Sequence, residues 1–458
     1  MAARYLSRPF VRLGSAAVML AALAAVSAPA WGLDLLQAYQ AAQAQDPRIR
    51  AARAARDSAL ERLPQARSQL LPNLSASMGR NKNDVDLTQQ NILGQEAASH
   101  DKYFSYNQTV QLRQPLYRKP LWDGLRQAGF IVEDAEATLE REEQELVTRV
   151  AGAYMEALLA QDALTLAQKK QSVTATQLDA AKKTFAAGAG TRTDIDEAQA
   201  RLDMDEANMV SARQQVELTQ RQLEILINQP VGALAGVDTT SLPLLPPLPA
   251  NVDDWVAQAE AHSPEVRALQ ARVDTARAEI SKAQGAHYPT LDAVAQISRS
   301  ASENITSPGT RSTNRMIGLQ LSVPLYSGGY TQSTVRQAVA EEVRALENLE
   351  AARRDLAVRV HREYRGVSEG VLKVRALEQA ERSGRQLVQS SRRSYQVGLR
   401  SLLDVLNAEQ QLQSVQRDLA EARYLYLVAR VRLRSLAGSN TEDSIREING
   451  WLLPRGGE

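Results

Sequence analysis

Two short stretches of this chain hold the residues best arranged for chemistry. They are Gly188-Ala189-Gly190-Thr191-Arg192-Thr193-Asp194 and Gly398-Leu399-Arg400-Ser401-Leu402-Leu403-Asp404. In each, a hydroxyl residue follows the glycine by three positions, and an aspartate follows the hydroxyl by three more. Gly188 and Gly398 suit the left-handed position that ends a helix. Thr191 and Ser401 suit the N-cap of the next helix. Asp194 and Asp404 then fall at the third helical position, beside the positive helix end. The motif reads as a tight helix reversal. Its carboxylates can accept hydrogen bonds and hold charge, but no partner for bond-breaking stands near them.

Elsewhere the chain offers little to a catalyst. His100, His262, His287 and His361 are dispersed without ligand spacing, and there is no cysteine. No phosphate loop, HExxH or GxSxG is present. The two glycines of "YSGGY" (326–330) read as a strand-to-helix corner. We expect no enzyme, no cofactor and no metal. With 54 basic and 53 acidic residues, net charge is +1, which gives no reason to expect nucleic acid.

The elements that carry the two turns are themselves duplicated. "DPRIRAARAARDSALERLPQARSQLLPNL" (46–74) returns as "SPEVRALQARVDTARAEISKAQGAHYPTL" (263–291). "QPLY" (114–117) returns as "VPLY" (323–326), and "FAAGAGTRTDI" (185–195) as "YQVGLRSLLDV" (395–405). A repeat of this length sets the architecture before any local reading. The first copy carries about eight extra residues between Leu74 and Pro115, which predicts a longer surface loop there.

Proline is absent between Pro120 and Pro230, and again between Pro324 and Pro454. Such stretches permit very long helices. Leu356, Val360, Tyr364, Val367, Val371, Val374 and Leu377 step by three and four, as do Leu139, Leu146, Val150 and Tyr154, though with a wider first step. Asp46-Pro47 and Ser263-Pro264 read as helix starts. A different period appears near the prolines. Phe104, Tyr106, Val110 and Leu112 alternate with polar residues, and so do Ile317, Leu319, Leu321 and Val323. Leu74, Ala76 and Met78 repeat this, as do Leu291, Ala293, Ala295 and Ile297. These are strands of about ten residues with one apolar face, the length of a tilted membrane strand. Polar loops are expected over roughly 84–102 and 301–313. Tyr103, Phe104, Tyr106 and Tyr117 suit either an interfacial aromatic girdle or ordinary strand packing.

The N-terminus reads as a secretory signal peptide over 1–30. Arg4, Arg8 and Arg12 precede an apolar run, and Ala28-Pro29-Ala30 follows it. With no cysteine, a lipid anchor is not expected. No later run suits a transmembrane helix, so any insertion must use strands. Four strands cannot stand alone in lipid, because open edges leave backbone groups unpaired. The chain must pool strands with copies of itself.

Taken together, the signal peptide, duplicated halves, strand hairpins and long helices resemble the TolC family of outer-membrane channels. "YQVGLRSLLDVLNAEQQL" (395–412) and "AEARYLYLVARVRLRSLAG" (420–438) carry the likeness best, and it covers the mature chain. The resemblance implies a mainly α fold with a membrane β-barrel portion. Three chains would close one twelve-stranded barrel in the outer membrane of a Gram-negative bacterium, in contact with its lipid. The helices would continue it as a long periplasmic α-helical barrel. Implied partners are a periplasmic adaptor (membrane fusion) protein and an inner-membrane transporter, ABC or proton-driven. The implied function is the exit duct of type I secretion, or alternatively of a multidrug efflux pump. A periplasmic coiled-coil adaptor is a weaker third reading, since an adaptor lacks membrane-length strands.

By the same resemblance, the two turns form the periplasmic entrance. Tyr395 and Arg400 would tie one helix pair to Thr193 and Asp194 of a neighbouring pair. Asp404 would point into the pore, and three copies would make an acidic ring. The family pattern has a second aspartate one turn later, where this chain has Asn407. That weakens the ring unless Glu197 or Glu409 compensates.

Expected boundaries follow. The first repeat covers 31–250, with a strand hairpin about 73–114, a long helix about 121–187, a helix about 191–228 and a linker 229–250. The second covers 251–440, with a hairpin about 290–323, a long helix about 328–397 and a helix about 401–437. Residues 441–458 are expected to form a C-terminal tail.

Overall fold

A computed structural model describes residues 32–90, 94, 96–238, 242–304, 307–438 and 441–453. The expected signal peptide lies outside these residues. The chain opens with three helices, α1 (Leu35–Gln45), α2 (Pro47–Leu60) and α3 (Arg62–Ser68), followed by strands β1 (Asn73–Gln90) and β2 (Glu96–Tyr117). Two long helical runs come next, α4 (Lys119–Ala186) and α5 (Arg192–Ile227). A short strand β3 (Gly236–Val237) leads to α6 (Val252–His262) and α7 (Pro264–Gly285). The second hairpin is β4 (Thr290–Asn304) and β5 (Ser307–Ser322). Helices α8 (Tyr330–Gln396), α9 (Leu402–Leu436) and α10 (Thr441–Asn449) and strand β6 (Leu452–Leu453) complete the chain.

The helix starts follow their local chemistry. Asp46 and Ser263 cap α2 and α7 with their side chains, and a proline stands in the first turn of each. At 68 and 67 residues, α4 and α8 each run ~100 Å at 1.5 Å per residue. No globular core fills that length, so the helices pack side by side. Helix α5 folds back on α4, and α9 on α8. Helix α7 lies against both α4 and α8, and α9 also touches α4, which joins the two halves. The buried stripe contains Leu146, Val150 and Tyr154 of α4 and Leu356, Val360 and Val367 of α8. These are the positions that the three-and-four spacing marks.

Helices α8 and α9 approach closely where α8 has no side chain. A Cβ on Gly366 would lie 3.0 Å from the Ala429 Cβ. Gly370 faces Tyr426 one turn on. Replacing Gly366 with leucine forces the pair apart, at a cost of about 1–3 kcal/mol. A lowered thermal midpoint by circular dichroism is the expected result, while Gly124→Leu, which meets open space, serves as the control.

The connecting segments wrap the middle of the helices. The Tyr154 hydroxyl lies 2.8 Å from the Leu33 carbonyl and 2.9 Å from that of Ala235. Tyr364, 210 positions later, bonds the Ala250 carbonyl in the same way. The linker is held to α9 by Tyr426, whose hydroxyl accepts from the Leu245 N–H at 3.1 Å. The C-terminal segment, expected as a tail, is instead structured. Ile445 and Ile448 of α10 are buried, and β6 pairs with β3 of the linker. A two-residue strand with a partner more than 200 positions away leaves no periodic trace in sequence.

The four long strands form one antiparallel sheet in the order β1-β2-β4-β5. The strands run 18, 22, 15 and 16 residues, well beyond the ten expected. Most of 84–102 and 301–313 is therefore strand rather than loop. The apolar stripe of Leu74, Ala76 and Met78 gives way there to Lys82, Asp84 and Asp86, so the expected face is lost while backbone pairing continues. The longer first copy becomes a taller hairpin. The register aligns side chains in rows. One face carries Leu74–Leu112–Ala295–Ile317, with Ala76–Val110–Ile297 beyond it and Leu291–Leu321 below. The other carries Ser75–Gln111–Gln296, Ser77–Thr109–Ser298–Asn314 and Gly79–Asn107–Ser300–Ser312. Phe104, Tyr106 and Tyr117 lie on the apolar face, whereas Tyr103 points to the polar one. Within the chain, β1 and β5 each pair along one edge only. Among the described residues, no helix is long and apolar enough to cross a membrane.

Candidate functional site

The α4–α5 and α8–α9 turns are built alike. Gly188 and Gly398 take φ of 75° and 77°. The Gly188 N–H reaches the Phe185 carbonyl at 2.9 Å, and the Ala189 N–H that of Thr184 at 3.1 Å. Gly398 and Leu399 do the same with Tyr395 and Ser394, at 3.0 and 2.9 Å. Both helices thus end in the six-to-one, five-to-two pattern that a left-handed glycine permits. The next helix opens at once. Thr191 accepts from the Asp194 N–H at 3.2 Å, and the Asp194 carboxylate accepts from the Thr191 N–H at 3.0 Å. Ser401 and Asp404 repeat this reciprocal cap at 3.2 and 3.0 Å.

In both turns the carboxylate Oδ2 also accepts from the cap hydroxyl, at 2.7 Å from Thr191 to Asp194 and at 2.8 Å from Ser401 to Asp404. The Ser401 hydroxyl, the Ser401 N–H and the nearby Arg400 charge hold the Asp404 carboxyl below the usual carboxylate range. The carboxylate stays exposed and ionised. Arg400 turns toward its own helix pair and donates to the Ser391 hydroxyl at 3.1 Å. Tyr395 and Ile195 both pack against the buried cluster of Ala181, Leu402 and Leu406. That cluster joins the two turns, with Ile195 next to Asp194 in sequence. Within one chain, no hydrogen bond of Tyr395 or Arg400 to Thr193 or Asp194 is among the described contacts.

Other residues, not evident from sequence, bind the two helix pairs here. Arg201 of α5 donates to the Asn407 side-chain oxygen at 2.7 Å and to that of Gln410 at 3.2 Å. Asn407 sits one turn beyond Asp404 on the same exposed stripe of α9. The missing second carboxylate is thus an amide facing a guanidinium. Glu409 is 9% exposed and accepts two bonds from Arg392, at 2.9 and 2.6 Å, and one from Gln177 at 2.5 Å. Its charge is engaged between helices, so it does not supply the charge that Asn407 lacks. Glu197 stays half-exposed. Arg201 and Asn407 lie 206 positions apart, with no spacing signal to connect them.

At the opposite end, the strand-to-helix corner is pinned by charge. Asp292 of β4, buried at 3% side-chain exposure, accepts from Arg113 of β2 and from Arg118, which precedes α4. The aromatics of the apolar face flank a band of fitting height. Eleven residues separate Tyr106 from Tyr117. At ~3.3 Å rise and ~40° tilt, they stand roughly 28 Å apart along the barrel axis, close to the apolar band of a barrel wall.

The family model described as outer membrane efflux protein matches residues 38–229 and 255–439, one segment in each repeat. The chain is 30% identical to the proteases secretion protein PrtF of Dickeya chrysanthemi, over 95% of each chain. It is 34% identical to the alkaline protease secretion protein AprF of Pseudomonas aeruginosa, over 89% of this chain and 85% of that one. Among solved structures, the outer membrane protein VceC from Vibrio cholerae superposes with a TM-score of 0.76 at 18% identity. That match covers 89% of this chain and 96% of that one.

Proposed function

Because the chain belongs to the outer membrane efflux protein family, we propose that it is the outer-membrane exit duct of a type I protein secretion system. The observation that carries this is its likeness to two protease secretion proteins along most of both lengths. The sheet supports a spanning role. Its faces separate apolar from polar side chains, and its two open edges call for strands from further copies. A homotrimer of twelve strands closes the barrel with the polar face lining the lumen. The long helices continue the duct into the periplasm. A periplasmic adaptor and an inner-membrane transporter engage its far end and supply the energy, and the duct itself is passive.

The entrance lies at the two turns. Three copies of Asp404 form the pore ring. Tyr395 and Arg400 tie one helix pair to Thr193 and Asp194 of a neighbouring pair, and Gly188, Gly398, Thr191 and Ser401 shape the reversals. A second reading, the outer-membrane part of a multidrug efflux pump, is favoured by the description of the matched family.

Deletion in the native host separates the two. Loss of one or a few proteins from the medium, with their accumulation in the cell and restoration by the plasmid-borne gene, is the expected result. Unchanged secretion together with increased drug sensitivity would move the assignment to efflux. Recovery of the protein as a soluble periplasmic monomer would remove both.

A further inference from the structure

The apolar face of the sheet ends in positive charge. Moving from the helices toward the hairpin tips, the row of Ala76, Val110 and Ile297 includes Arg315. The next row includes Arg299, the next Arg80 and Arg311, and the next Lys82. All five side chains are exposed. Among the described residues, none of the five forms an ion pair. The polar face at the first levels carries only Ser77, Thr109, Ser298 and Asn314, then Gly79, Asn107, Ser300 and Ser312. The cations are therefore confined to one face. They are also confined in height. Nearer the tips the charges are matched, with Lys102 on Asp84 and His100 between Asp84 and Asp86. Toward the helices, Arg113 and Arg118 are taken up by Asp292, and the apolar face there bears Leu291, Leu321 and Tyr117.

We propose that this belt binds the phosphate groups of the phosphorylated glycolipid in the outer leaflet. The inference rests on the barrel reading above, in which the apolar face meets lipid. The unpaired cations run from the last apolar row through the three rows past it, and their long side chains extend from there toward headgroup height. The Arg80 guanidinium lies 4.4 Å from the Phe104 ring centroid and 5.2 Å from that of Tyr106. Both rings lie within cation–π distance and hold the guanidinium at this level of the sheet. Guanidinium edges match phosphate oxygens in pairs, and four of the five cations are arginines. The one-ended placement selects the lipid. Within the sheet, the cations of the apolar face stand only toward its tip end, whereas at its helix end Leu291, Leu321 and Tyr117 close the face and Arg113 and Arg118 are paired with Asp292.

The test uses the full channel purified in dodecyl maltoside and native mass spectrometry. The probes are bis-phosphorylated lipid A, its dephosphorylated form and dioleoyl phosphatidylglycerol. Wild type is expected to retain the bis-phosphorylated form about tenfold more than either other lipid, and millimolar inorganic phosphate should not displace it. The variant R80Q/R299Q/R311Q/R315Q should lose that preference, while R80K/R299K/R311K/R315K keeps part of it and controls for folding. Equal retention of the dephosphorylated lipid or of phosphatidylglycerol, or an unaltered preference in the glutamine variant, would overturn the proposal. Displacement by inorganic phosphate would do the same, in favour of a simple anion site. Bilayer conductance is read in parallel. Absence of any channel in wild type would refute the duct, whatever lipid is retained.

Discussion

Arg201→Ala is expected to raise the conductance of the resting channel about fivefold in planar bilayers. The Arg201 guanidinium spans from α5 to Asn407 and Gln410 of α9, so it fastens the two helix pairs of a protomer together near the turns. Hydrogen bonds to a charged donor contribute about 1.5–3 kcal/mol when shielded, and half-exposure reduces that to ~1 kcal/mol. An entrance held by such a tie shifts its open fraction about fivefold when the tie is cut. Arg201→Lys, which retains one bond, should fall between. The Tyr395→Phe, Arg400→Ser pair acts on different contacts, the Tyr395 packing on Ala181, Leu402 and Leu406 and the Arg400 bond to Ser391. Its effect should therefore add to that of Arg201→Ala. Unchanged conductance in Arg201→Ala would show that the pairs are held elsewhere, with the Gln177–Glu409–Arg392 cluster the remaining tie.

The contrast between these two contacts shows which features the sequence makes legible. The turns are readable because each device is local. A glycine, a hydroxyl and an aspartate within seven residues specify both the helix end and the next start, and the structure forms every one of those bonds. The strand faces are readable for the same reason, since alternation is a property of neighbours. Arg201 and Asn407 meet only because two helix pairs fold onto one another, and neither residue is unusual on its own helix. Asn407 illustrates the difference. In sequence it is a lost carboxylate, and in the structure it is also the acceptor for a cation. The strands past Val85 and Ser302 were hidden because charged and polar residues replace the apolar stripe there and read as a loop until the backbone partner is known. The basic belt was hidden differently. Arg80, Arg299, Arg311 and Arg315 lie on three strands, and a one-residue slip of register would send any of them to the other face. Only the observed pairing places them in adjacent rows.

Asp404→Asn is expected to weaken divalent-cation block of the channel roughly tenfold at physiological salt, since the proposed pore ring would lose one charge per chain in a partly screened pore. The substitution isolates charge from capping. An asparagine oxygen can still accept from the Ser401 N–H, so α9 keeps its start while the ring loses its charge. Ser401→Ala does the reverse. It removes the hydroxyl that contributes most to holding the Asp404 carboxyl low, and leaves the charge in place at neutral pH. The pH dependence follows from the direction of that shift. With the folded-state pKa depressed, the cap's contribution is present above the unfolded pKa and is lost only as pH falls through the folded value. Wild-type block should thus persist into acid below the usual carboxylate range, and Ser401→Ala should lose it at a higher pH. Thermal midpoints at neutral pH should order the other way, with Ser401→Ala below Asp404→Asn. If Asp404→Asn is blocked as strongly as wild type, the ring lies elsewhere and Asp404 is a helix cap alone. If both variants lose block equally at neutral pH, the turn's shape rather than its charge controls the entrance.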